Sequence, residues 1–173
     1  MGLRRFAFLL ALTAPGLCSG CGWTPMYADR TATPAAADLR AIKVDPIAER
    51  IGQRLEMALR TSLNPSGVST PPRYELKTVL AVNRSDLGIQ SQGLATRGQV
   101  DVSATYVLTD IATKKPMLTN SIHVSDSFDI LANGYATVVT EDDASTRTVE
   151  ELRGEIVARL TMFMQRREAA AGP

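Results

Sequence analysis

Three stretches between Tyr74 and Val124 alternate in polarity with a period of two, and nothing else in the chain restricts its fold as much. In the first, Tyr74, Leu76, Thr78, Leu80 and Val82 alternate with Glu75, Lys77, Val79 and Ala81. In the second, Val100, Val102, Ala104, Tyr106 and Leu108 alternate with Asp101, Ser103, Thr105 and Val107. Successive side chains of a β-strand point to opposite faces, so such runs describe half-buried strands. Ala112-Thr113-Lys114-Lys115-Pro116 makes a turn, from which Leu118, Asn120, Ile122 and Val124 carry a third strand back. The second and third stretches therefore form a hairpin. A weaker strand is expected at Leu39–Val44, with Ile42 and Val44 on one side.

Two helical stripes flank these strands. Asp45-Pro46 offers an N-cap followed by a first-turn proline. Ile47, Ile51, Leu55, Leu59 and Leu63 then recur on one face until Asn64-Pro65-Ser66-Gly67. Both charge signs mix on the remaining surface, at Glu49, Arg50, Arg54, Glu56 and Arg60, which suits a core helix better than a membrane helix. From Phe128 to Val139 the pattern weakens: Asn133-Gly134 interrupts it, and Tyr135, Thr137 and Val139 read as a short strand or a lead-in. A second helix is expected to open at Asp142-Asp143, or later if Thr148 and Glu151 form a capping box. Its stripe is Val149, Leu152, Ile156, Leu160 and Phe163. The order strand, helix, three strands, helix predicts an α+β fold, a two-layer sandwich. Two helices would pack on one face of a mostly antiparallel four-stranded sheet, leaving the opposite face polar. A single domain over residues 39–168 is expected, then a disordered tail at 169–173.

Residues 1–20 have the plan of a secretory signal peptide: Arg4 and Arg5, an apolar run from Phe6 to Leu12, then the small residues Ser19 and Gly20. The run is too short to span a bilayer, which takes about 20 apolar residues. Next comes Cys21, and small residues before a cysteine at this place resemble a bacterial lipobox. In that motif the thiol is alkylated with diacylglycerol and the chain is cut so that the cysteine becomes its first residue. Cys18 stands where a lipobox usually carries Leu, and the bulky Leu17 makes Cys18 a poor acceptor. Cys21 is the expected lipidation site of a mature chain running from 21 to 173; the alternative is an ordinary signal peptide with Cys21 free. Gly22 follows where many inner-membrane lipoproteins carry Asp, which favours the outer membrane. Residues 21–38 read as a lipidated N-terminus and tether, with Trp23 and Tyr27 at the bilayer interface or packed on the domain.

Without Arg4 and Arg5 the chain holds seventeen basic and eighteen acidic residues, not the basic balance of a general nucleic-acid binder. Both cysteines fall within the first 21 residues, so the body has no thiol for a disulfide or a metal and rests on packing. No cofactor is expected. His123 is the one histidine, with Ser121 and Ser125 on its own face and Asp126 and Asp129 following. A lone histidine in a strand is far more often structural than catalytic. No zinc spacing, phosphate-cradling loop or nucleophile elbow is visible. Glu141-Asp142-Asp143 is explained by acids at a helix N-terminus.

Taken in order, several segments resemble the LPS-assembly lipoprotein family LptE in its alphaproteobacterial form. They are Gly20-Cys21-Gly22-Trp23-Thr24-Pro25-Met26-Tyr27, Asp45-Pro46-Ile47-Ala48-Glu49-Arg50, Tyr74-Glu75-Leu76, Ala104-Thr105-Tyr106-Val107-Leu108-Thr109-Asp110, Tyr135-Ala136, Asp143-Ala144 and Arg147. The resemblance implies an outer-membrane lipoprotein that plugs the LptD β-barrel, helps it assemble and binds lipopolysaccharide. The cations for such a ligand are sought in loops, since guanidinium and ammonium groups suit its phosphates and carboxylates. Candidates are Arg84 and Arg97 around Leu87-Gly88-Ile89-Gln90-Ser91-Gln92-Gly93, and Lys114 and Lys115 at the next turn. Either Asn83–Gly98 is a long functional loop or the two strands simply extend through it. Consecutive hairpin connections alternate ends, so the two places need not form one patch. Two other functions stay open: a stand-alone envelope lipoprotein, expected to carry a concave apolar pocket on the sheet face, and a lipid-anchored hydrolase, expected to hold His123 beside both a serine and a carboxylate.

Overall fold

The period-two stretches become three long strands, each extending well past its sequence pattern. The computed structural model describes residues 34–89 and 95–171. In chain order these form α1 (Pro34–Arg40), β1 (Ile42–Val44), α2 (Glu49–Leu63), β2 (Tyr74–Ile89), β3 (Ala95–Asp110), β4 (Pro116–Asp129) and α3 (Gly134–Ala171). The chain divides into two units, Met1–Arg30 and Thr31–Pro173, and every described residue belongs to the second. The signal peptide, Cys18, Cys21, Gly22, Trp23, Tyr27 and the tip Gln90-Ser91-Gln92-Gly93 lie outside the described residues.

The sheet order is β1-β2-β3-β4, with β1 parallel to β2 and the other pairs antiparallel. Register brings Thr78, Tyr106 and Asn120 into one row, and Leu76, Leu108 and Leu118 into another. Helices pack on that face. Leu55, Leu59, Leu152, Ile156 and Leu160 are fully buried against Leu76, Val102, Ala104, Tyr106 and Leu108. The two-layer α+β sandwich is therefore observed, with one helix more than expected.

That extra helix, α1, begins inside the stretch read as tether. Ala35, Ala36 and Leu39 bury its inner side, and the Ala35 amide donates to Glu168 Oε2 on α3 at 3.3 Å. Seven residues give too short a period for the alanine-rich sequence to announce it. At the other end of the chain, α3 runs to Ala171, into the stretch read as a disordered tail.

Both long helices start elsewhere than expected. Asp45 does not cap α2: its amide donates to Leu76 O at 3.0 Å, continuing the β1 ladder. Ile47 folds back over Gly52, where an added Cβ would fall 2.6 Å from Ile47 Cγ2. The helix begins only at Glu49, after an extended Ala48 with no side-chain cap. α3 begins at Gly134, eight residues before Asp142. The Asn133-Gly134 pair is its start: Asn133 Oδ1 accepts from the Tyr135 amide at 3.0 Å, and Asn133 O accepts from the Thr137 amide at 3.2 Å. Its first turns show no apolar stripe because Tyr135, Val138 and Val139 are exposed. Thr140 Oγ1 holds them to the sheet by donating to Asp129 O at 2.8 Å. Thr148 is an internal residue of α3, donating to Ala144 O, and caps nothing.

β4 is a 14-residue edge strand. The amides of Ser121 and Ser127 donate to the neighbouring side chains Asn120 Oδ1 and Asp126 Oδ1, each at 2.8 Å.

Candidate functional site

Odd-numbered residues of β2, β3 and β4 share the face that no described helix covers. This face is rich in hydroxyls, as the alternation predicts. Thr105 Oγ1 lies 3.3 Å from Ser121 Oγ, Gln99 Nε2 donates to Asp101 Oδ1 at 2.8 Å, and Lys43 Nζ donates to Glu75 Oε1 at 3.2 Å on the far strand. Hydrogen bonds from Gln99 and then Ser125 hold the Asp101 carboxyl below its ordinary value.

His123 sits within this network. Ser103 Oγ is 3.1 Å from its Nδ1, and Asp101 Oδ1 is 3.6 Å from its Nε2. Both partners come from β3, not from the serines and acids near His123 in sequence. The register could have found them, because the turn at 112–115 sets Ser103 opposite His123. The set echoes a hydrolase triad, but the imidazole–carboxylate gap exceeds hydrogen-bond length. Ser103 lies on a central strand whose amides are committed to its neighbours, so no donor pair faces its Oγ to hold an oxyanion. The cluster ties β3 to β4 on an open surface, with the histidine side chain 61% exposed.

The four expected cations do not converge. β2 runs to Ile89 and β3 starts at Ala95, as the strand-extension reading expects, so Arg84 and Arg97 stand on strands. Their register puts them on opposite faces. Arg84 turns toward the helices, its guanidinium 5.2 Å from the Phe128 ring centroid and 3.3 Å from Glu141 Oε2. Arg97 lies on the open face and donates to Ser127 Oγ at 2.8 Å. Lys114 and Lys115 occupy the β3–β4 turn, where Lys114 adopts φ 57° and its amide donates to Asp110 O at 2.8 Å. From Arg97 to that turn β3 runs roughly 40 Å, at about 3.3 Å per residue.

Two of the shallow grooves among the described residues border the strands but lie off the open face. One, about 370 Å³, separates β1 from the 64–72 connection and is lined by Arg40, Lys43, Arg60 and Leu63 among others. The other, about 350 Å³, lies where Ile51, Val82 and Val138 meet beneath Arg50, Arg54 and Asp142. Among the described residues no cluster of His, Cys, Asp or Glu could hold a metal ion, and no helix is long and apolar enough to cross a membrane.

A sequence model of the lipopolysaccharide-assembly family LptE matches residues 39–162, most of the chain and all of its sheet. The chain belongs to the LptE family. An uncharacterised protein of Rickettsia prowazekii is 26% identical over 163 residues, covering 94% of this chain and 99% of that one. A candidate lipoprotein of Caulobacter crescentus superposes with a TM-score of 0.62 at 24% identity, over 82% of this chain and 99% of the other. A minor lipoprotein of Acinetobacter baumannii gives 0.57 at 15%, over 70% and 90%. Rare lipoprotein B of Shewanella oneidensis gives 0.51 at 12%, over 76% and 98%. At these identities the solved structures establish the fold, and the match to the LptE family carries the assignment to lipopolysaccharide assembly.

Proposed function

We propose that the protein is an outer-membrane lipoprotein, acylated at Cys21 and facing the periplasm, that plugs an LptD-like β-barrel, assists its assembly and binds lipopolysaccharide in transit. Beyond family membership, the observation that supports this reading is the uncovered, hydroxyl-rich sheet face. Barrel lumens are polar, since barrel strands alternate apolar-out and polar-in. Serine and threonine hydroxyls both donate and accept, so a face built from them adapts to such a wall without stranding a charge. Lipopolysaccharide would meet separate cations: Arg97 near one end of the sheet, Lys114 and Lys115 at the other. Arg84 is already engaged by Glu141. The protein works by contact and not by turnover.

Affinity purification after detergent extraction tests the central claim. A large β-barrel should co-purify in stoichiometric amount; a chain that purifies alone overturns it and favours the stand-alone lipoprotein. Cys21→Ala should abolish labelling by radioactive palmitate. Reversal of Lys114 and Lys115 should reduce lipopolysaccharide capture, and undiminished capture would remove them from the ligand site.

A further inference from the structure

The cations of the domain are unevenly satisfied. Nine of the sixteen lysines and arginines among the described residues lie within 4 Å of a carboxylate. The seven without a carboxylate are Arg97 and a group of six: Arg40, Lys77, Lys114, Lys115, Arg166 and Arg167. All six belong to one end of the sandwich. Arg40 closes α1 just before β1, Lys77 stands three residues into β2, and the lysine pair forms the β3–β4 turn. Arg167 is placed by Tyr74, the first residue of β2: it donates to Tyr74 Oη at 3.2 Å and lies 5.8 Å from the ring centroid.

The acids at this end are bound within the fold. Asp38 accepts from Arg73 at 2.6 Å and from Tyr74 Oη at 3.3 Å. Asp110 accepts the Thr113 amide at 2.9 Å, and Glu168 the Ala35 amide. Lys43 holds Asp45 and Glu75 at 3.2 Å each, so with Lys43 and Arg73 counted, eight cations stand against five acids. All of the unpaired cations except Arg40 are exposed. Four strand ends at about 4.8 Å spacing make this end only about 15 Å wide along the sheet.

The polypeptide also enters the domain here, because α1 is held against the last turns of α3. Twelve residues separate Cys21 from Pro34, and the thirteen steps between them reach no more than about 45 Å at full extension. We propose that this end docks on an anionic phospholipid surface, the leaflet that carries the anchor. The proposal rests on acylation of Cys21. A cluster of about four to eight cations beside a membrane attachment is the composition that recognises anionic headgroups. Docking stands the long axis of the sheet away from the bilayer and presents its far end outward.

The thiol-free body makes the test clean. The exported lipidated protein is labelled with a fluorophore at Ala112→Cys, in the β3–β4 turn, or at Ala132→Cys, at the far end. It is reconstituted in vesicles of phosphatidylcholine alone, or with added phosphatidylglycerol or added lipopolysaccharide, each containing a headgroup spin label as quencher. The Ala112 label should be quenched when phosphatidylglycerol is present, and high salt should relieve it. Lys115→Glu with Arg166→Glu should reduce the quenching roughly threefold or more, and Lys115→Gln with Arg166→Gln by less. The Ala132 label should stay bright. Equal quenching of both labels, or indifference to phosphatidylglycerol and to the substitutions, overturns the proposal. Quenching by lipopolysaccharide vesicles alone also overturns it and assigns the cations to that ligand. If the protein washes off phosphatidylcholine vesicles, the acylation reading has failed. Flotation on phosphatidylglycerol vesicles then decides: salt-sensitive flotation, lost on charge reversal, supports the surface, and no flotation sinks it.

Discussion

The ring of Phe128 lies flat over Gly98, its cross-strand partner, so that a Cβ added to the glycine would fall 2.7 Å from Cε1 and closer still to Cζ. Arg84 stacks on the same ring. A bare backbone position on one strand is thus roofed by an aromatic from the next. Gly98→Val should overpack this site and cost about 1–3 kcal/mol. In a Phe128→Ala background the same change should cost much less, giving a coupling energy in a double-mutant cycle of thermal melts. Additive effects would show that the ring does not depend on the glycine.

Tyr106 and Thr78 face each other across the β2–β3 pair, both buried, and neither hydroxyl has a hydrogen-bond partner. Burial raises the Tyr106 pKa. A buried hydroxyl without a partner opposes folding. Tyr106→Phe should therefore leave stability unchanged or raise it by up to about 1 kcal/mol. A clear fall in the denaturation midpoint would mean that the hydroxyl has a partner in solution.

Two half-buried carboxylates contribute to the acid side of the stability profile. The Thr113 amide holds Asp110 below its ordinary value, and hydrogen bonds from Gln99 and Ser125 do the same for Asp101. A carboxyl depressed in the folded state stabilises above its unfolded pKa of about 4, and the contribution disappears as pH falls through the lower folded value. Melting temperature should decline as pH drops below about 4. Replacing Asp101 and Asp110 together by Asn should make that decline shallower, and an unchanged slope between pH-matched melts would contradict the assignment.

Asn133 satisfies the first amides of α3, and nothing buried secures the turns that follow. Asn133→Ala should cost about 1 kcal/mol. It should also raise amide exchange in residues 134–140 while leaving the Leu152–Leu160 segment protected. Uniform exchange along the helix would show that the cap is dispensable.

Where burial imposed a period, the sequence was readable. Leu152, Ile156 and Leu160 are apolar because they meet a sheet, and Tyr74 to Val82 alternates because one face is covered. The sequence failed where backbone bonding decided instead. Asp45 looked like a cap but its amide was claimed by Leu76, and Asn133-Gly134 looked like a break but starts a helix. β2 and β3 extend into a polar stretch whose pairing is fixed by register, which composition does not encode. The candidate site was less legible still. Arg84 and Arg97 flank one hairpin tip in the sequence and stand on opposite faces in space. Asp101 and Ser103 reach His123 only across a hairpin, and the unpaired cations come from four separate segments.

β4 shows how a long unpaired margin can be kept quiet. It has no lysine or arginine, and its single proline stands at the very beginning. Asn120 and Asp126 occupy the Ser121 and Ser127 amides, six residues apart, with short side-chain loops of their own. A strand arriving from another molecule would find those two positions taken and only a few rungs between them, too few to hold it. Resistance to aggregation is thus written into two residues that contribute almost nothing to the core.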